Sequence, residues 1–168
     1  MRKFTITLLF AAVTAVAQNP NQFQSLFIQI PQASQRAVLT QRIALTDVTI
    51  VYHRPVAAGR KVFGGIVPYG QVWRAGANDN TTIEFSTNVK VEGQPLAKGV
   101  YGLHMIPGEN EWTIAFSSNS TSWGSFTYDE KEDTLRVKVK PVSAENHDVL
   151  TYDFDDLKGD SAALTLRW

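Results

Sequence analysis

In "DVTIVYHR" apolar and polar side chains alternate, with Val48, Ile50 and Tyr52 on one face and Thr49, Val51 and His53 on the other. "TTIEFS" sets Ile83 and Phe85 against Thr82, Glu84 and Ser86, and "VYGLHMI" sets Tyr101, Leu103 and Met105 against Val100, His104 and Ile106. "EWTIAF" puts Trp112, Ile114 and Phe116 together, and "DTLRVKVK" alternates Leu135, Val137 and Val139 with Arg136, Lys138 and Lys140. "DVLTYDF" and "ALTLRW" repeat the pattern. A period of two, rich in β-branched and aromatic residues, predicts strands. "PGEN" at Pro107 to Asn110 reads as a hairpin turn, "EGQPLAKG" as a second short connection, and "YDEKED" as at most one helical turn. Many short strands with one polar face predict an all-β, antiparallel β-sandwich, jelly-roll-like or barrel-like.

One segment breaks the alternation. "GRKVFGGIVPYGQVWRAGAN", Gly59 to Asn78, lies between two predicted strands and is too long for a hairpin. Loops of this length in a small domain are functional or packed by their own side chains. Val62, Phe63, Ile66, Val67, Tyr69, Val72 and Trp73 supply the packing, so the segment is expected to be one long ordered crossover on the sheet.

Length and composition leave room for a single domain. The chain has 168 residues, 43 % hydrophobic and 19 % charged, with a formal net charge of zero. That balance gives no sign of a nucleic-acid or anionic-membrane partner. The absence of cysteine excludes disulfides, thiolate metal sites and a cysteine nucleophile. Met1-Arg2-Lys3 followed by the apolar run Phe4 to Ala17, closing on Ala15-Val16-Ala17, reads as a secretory signal peptide over 1–17. The run is too short for a bilayer span, which needs about 20 residues. The expected product is exported, periplasmic or extracellular, with no transmembrane segment after cleavage. Loss of Arg2 and Lys3 from the 16 basic residues leaves a mature net charge of −2. The amide-rich stretch 18–33 reads as a tether, and 34–168 as the single all-β domain.

"HRP", "GRKVFGGIVPYGQVWRAGAN", "GVYGLHMIPGENEWTIAFS", "SWGSF" and "YDEKEDTLRVKVKP" together resemble the bacterial domain-of-unknown-function family twenty-nine-eleven, over about Pro31 to Trp168. The resemblance implies an exported bacterial protein and supplies no reaction. His53 stands where the family usually has Ser before "RP", and a further strand beyond Trp168 would fit the family pattern.

Three constellations carry candidate chemistry. The first is a cationic and aromatic pocket of Arg54, Arg60, Lys61, Tyr69, Trp73, Arg74 and Asn78. Arg holds carboxylate or phosphate through its planar fork, and Trp and Tyr offer stacking faces. The opposing reading has Arg54 and Arg74 bonded to loop carbonyls, or paired with Glu84 and Asp133, and Trp73 in the core. The second is a histidine–carboxylate site drawn from His53, His104, Glu84 and Asp133, with His104 and Glu84 as the acid/base pair. No metal-ligand spacing accompanies it, and neither a metal nor a cofactor is expected. The third, serine chemistry in "SSNSTSWGS", lacks any strand-to-helix elbow, and the stretch reads as a flexible loop. Trp112 with Phe116, and Trp123 with Phe126, read as core pairs; Trp123-Gly124 alternatively rims a sugar-binding groove.

The leading expectation is therefore an exported module that holds a small polar or anionic ligand, or a glycan, in the 54–78 region. A hydrolase or isomerase using His, Glu and Arg, and a purely structural or interaction domain, stand as alternatives.

Overall fold

The computed structural model describes residues 31–168; the signal-peptide reading and most of the tether fall outside them. Each predicted alternating run is a strand. β1 spans Gln35–Ile43, β2 Thr46–Arg54, β3 Thr82–Phe85, β4 Val89–Val91 and β5 Gln94–Leu96. β6 spans Gly99–Ile106, β7 Trp112–Ser117, β8 Asp133–Val139, β9 Thr151–Asp155 and β10 Ala163–Arg167. "YDEKED" forms a single 3-10 turn at Glu130–Glu132, with the Asp129 carboxylate capping Lys131 N–H. Among the described residues no helix is long and apolar enough to cross a membrane.

Six strands make one antiparallel sheet in the order β1-β2-β3-β6-β7-β8, while β9 with β10 and β4 with β5 form separate two-stranded ribbons. The sheet does not close, since β1 and β8 are its two edges. The fold is a sandwich and not a closed barrel. Register places the apolar sets in one plane: Ile50 pairs with Ile83, Ile83 with Tyr101, and Leu103 with Phe116. Leu150, Tyr152 and Phe154 from β9 and its approach, with Leu96 from β5, close over that face. Ile50, Leu103 and Leu150 are completely covered at its centre.

The crossover is an edge element in its own right. β3 pairs with β6 only as far as Gly102. Beyond that point the crossover takes its place: Leu103 N–H donates to Thr81 O, Trp73 and Met105 exchange two backbone bonds of 2.8 Å, and Gly70 N–H donates to Pro107 O. The expected ordered crossover is thus present, held by main-chain bonds as well as by its apolar side chains.

The opposite face of the sheet is covered by the β7–β8 connection, residues 118–129. It crosses at Gly102, where an added Cβ would stand 2.4 Å from Asn119 O and 2.7 Å from Asn80 Nδ2. Gly102→Ala is expected to cost about 1–3 kcal/mol through overpacking against backbone that cannot yield cheaply. Amide exchange should rise first in 118–129; an unchanged melting temperature and exchange pattern would show that the connection does not rest on β6.

Candidate functional site

Strand-like alternation continues through the crossover at Trp73-Arg74. Trp73 is bridged to Met105, so its indole joins the core side, where it stacks on Trp168 at 5.8 Å and meets Phe63 edge-on at 6.1 Å. Its Nε1 donates to Gly76 O. Arg74 consequently turns to the opposite face. There its guanidinium lies 5.7 Å from the ring centroids of both Trp123 and Phe126. Those two rings are parallel, 5.6 Å apart and 8° from coplanar orientation. Trp123 is 62 % exposed and Phe126 76 %. The core reading of this pair is therefore corrected. The rings sit on a connection whose inward positions are taken by polar side chains, which leaves the aromatics on the outside.

Two residues in left-handed backbone put Arg74 there. Gly124 has φ +67°, and a Cβ on it would come within 2.3 Å of Arg74 Nη1. Asn78 has φ +57°, and its carbonyl accepts from Arg74 Nη1 at 3.2 Å. Asn78 Nδ2 in turn donates to Gln32 Oε1 and Ser34 O, which ties the turn to the chain entering β1.

Beneath the aromatic pair lies a buried polar layer. His104 is 1 % exposed, and its Nδ1 is 3.1 Å from Ser125 Oγ. Its ring packs 4.9 Å from that of Tyr128. Tyr128 O–H donates to Asp133, and Arg136 reaches both Glu130 and, at 3.7 Å, Asp133. Asn80 Nδ2 donates to Asn119 O and Ser122 Oγ, while Asn119 Nδ2 donates to Glu132. These bonds pin the serine-rich stretch at both ends and its middle, in contrast to the flexible loop its composition predicts. Burial pushes the His104 imidazole down to about 4, so it is neutral at neutral pH. Burial, then the hydrogen bond to Asp133, pushes the Tyr128 phenol up, and burial raises Asp133 in spite of Tyr128 and Arg136. The layer positions the connection above it.

The remaining candidates lie elsewhere. Arg54 Nε donates to Leu150 O at the end of β2. Arg60 closes its own loop through Ala57 O and Val56 O, at 2.8 and 2.7 Å. Tyr69 covers Gly64, where a Cβ would stand 2.7 Å from the ring. Glu84 is exposed opposite Val100 on the face that carries His104, about 13 Å from it at the rise of a strand. His53 is buried, with Nε2 3.9 Å from Asp79, and its burial lowers its pKa. The seven residues of the expected cationic and aromatic pocket thus divide: Arg74 and Asn78 join the aromatic pair, Trp73 belongs to the core cluster, and Arg54, Arg60, Lys61 and Tyr69 lie apart. Among the described residues no three His, Asp or Glu side chains converge as metal ligands. Ser122, Ser125, Tyr128 and Arg136 lie in stretches that carry the family resemblance, but nothing in those stretches gives them a place in this site; the register of β6, β7 and β8 brings them under the rings.

No curated protein and no solved structure matches this chain. A family model described as a protein of unknown function, DUF2911, matches residues 34–168, and the chain belongs to that family.

Proposed function

We propose that the domain is an exported binding module whose ligand is a small carbohydrate bearing a carboxylate, held on Arg74, Trp123 and Phe126. The observation that carries this reading is the parallel aromatic pair, mostly exposed, beside a guanidinium fixed by Gly124 and Asn78. Leaving two large rings in water forgoes about 1.5–3 kcal/mol of burial for each, and an exposed apolar patch on an anchored segment marks an interaction site. The rings offer faces for the C–H surface of a sugar. Arg74 spends one nitrogen on Asn78 O, and among the described residues its other nitrogens have no protein acceptor, so a carboxylate can engage the fork.

Thermal melting with a panel of neutral and uronate-containing oligosaccharides tests the reading. A ligand present at 100 times its dissociation constant should add about 2.7 kcal/mol. Arg74→Lys should keep the fold and lose the preference for acidic sugars, because ammonium lacks the bidentate geometry. If no compound raises the wild-type midpoint and Arg74→Lys melts early, Arg74 serves only to bridge crossover and sheet.

A further inference from the structure

A second concave site lies on the other side of the sheet, where the end of β2 meets the β9–β10 ribbon. It is a cleft of about 540 Å³ whose polar rim is Arg54, His147, Thr151, Arg167 and one carboxylate, Asp153, which leans on Arg167, and whose inner wall is Tyr52 and Tyr152. The wall is rigid. The two rings meet edge to face at 4.8 Å, Tyr152 N–H donates to the Tyr52 hydroxyl, and the Tyr152 hydroxyl donates to Ala75 O.

The two arginines differ in how their charge is met. Arg167 is paired with Asp155 and lies 3.8 Å from Asp153. Arg54 is half-buried, and its Nε donates to Leu150 O at 3.2 Å. Among the described residues that carbonyl is its one hydrogen-bond acceptor, and no carboxylate approaches it within ion-pair distance. Pro55 restricts the Arg54 backbone to extended conformations, which holds the side chain at the cleft. A half-buried guanidinium anchored by Nε presents its two terminal nitrogens as a fork, and the carbonyl at Leu150 does not neutralise its charge.

We propose that this cleft binds the oxyanion end of a small molecule, a carboxylate or a phosphoryl group, with Arg54 as the charged anchor and Thr151 and His147 as hydrogen-bonding neighbours. The site is independent of the Trp123–Phe126 surface, and neither needs the other to be occupied.

Isothermal titration with sodium phosphate and with sodium acetate, at ionic strength held constant with chloride, tests this on the whole protein. Amide shifts are followed in parallel in the ¹⁵N spectrum. A phosphoryl site gives heat with phosphate and little with acetate; a carboxylate site gives the reverse. In either case the largest shifts should fall at His147, Thr151 and Asp153. Arg54→Gln, which keeps a donor for Leu150 O, should weaken binding about tenfold or more, whereas Arg167→Gln should have a smaller effect because its charge is already paired. Should Arg54→Gln fail to fold, the wild-type shift map decides. Shifts scattered over surface cations, or identical titrations of wild type and a folded Arg54→Gln, would overturn the proposal, as would no response to either anion at millimolar concentration.

Discussion

Trp73→Ala should destabilise the domain by about 3 kcal/mol, the low end for removing a packed indole, because the ring is half-buried. The loss has three parts. Stacking on Trp168 disappears, the edge contact with Phe63 disappears, and Gly76 O loses its indole donor. Phe63 then faces a gap on one side while it still packs 4.6 Å from Trp112. The backbone bridge to Met105 survives, so the crossover should stay on the sheet in a weakened form. Urea unfolding should show a lower midpoint with an unchanged slope, and Trp73→Phe should recover much of the loss. A cost below about 1 kcal/mol would mean that the ring is not packed and would return Trp73 to the ligand-stacking candidates.

Acid should destabilise the fold through His104. In the unfolded chain an imidazole titrates near 6.5, whereas in the folded protein burial holds this one at about 4. Between those values the unfolded state binds the proton and the folded state does not, so stability falls as pH falls. Above about pH 6.5 the contribution is fully present; by pH 4 about 3 kcal/mol has been lost. His53 is also lowered by burial and acts with the same sign. Asp133 acts against both, because its pKa is raised in the folded state and its protonation relieves a buried charge as pH falls. Subtraction isolates His104. His104→Gln keeps a partner for Ser125 and should flatten the pH dependence of stability between pH 4 and 7 relative to wild type. Parallel curves for the two proteins would show that His104 is solvated in the folded state.

The strands were legible because each buries one face, and burial of one face imposes a period of two. β1 was not, since it is an edge strand with exposed Arg36, Val38, Thr40 and Arg42, and its two-residue turn to β2 is Ala44-Leu45 with φ +50° at Ala44. No Gly, Asn or Asp marks that turn. β4 and β5 are three residues each, too short for a pattern. Arg74 and Asn78 could be singled out in sequence because both lie in one dense, glycine-rich segment. Their partners could not, because Trp123 and Phe126 follow some 50 residues later on a connection whose direction is set by buried polar bonds. Aromatic residues near a strand end read as core by default, and nothing local to "SWGSF" says that Ser125 turns inward while its neighbours turn out. The proposed pairing of His104 with Glu84 illustrates the same limit from the other side. Both face the same side of the sheet, but register sets them apart along β6.

The indole N–H resonances provide the most direct test of the binding surface. The protein has four tryptophans, and Trp73, Trp112 and Trp168 pack against the core while Trp123 stands in solvent. Titrating ¹⁵N-labelled protein with a uronate-containing oligosaccharide should move the Trp123 indole signal and the Gly124 amide and leave the other three indoles in place. Gly124→Ala, which places a methyl where Arg74 Nη1 lies, should abolish those shifts while the Trp73 indole signal stays where it is. Shifts confined to Trp73 or Trp168, an equal response from Gly124→Ala, or no movement at Trp123 with any acidic or neutral sugar would contradict the proposed site.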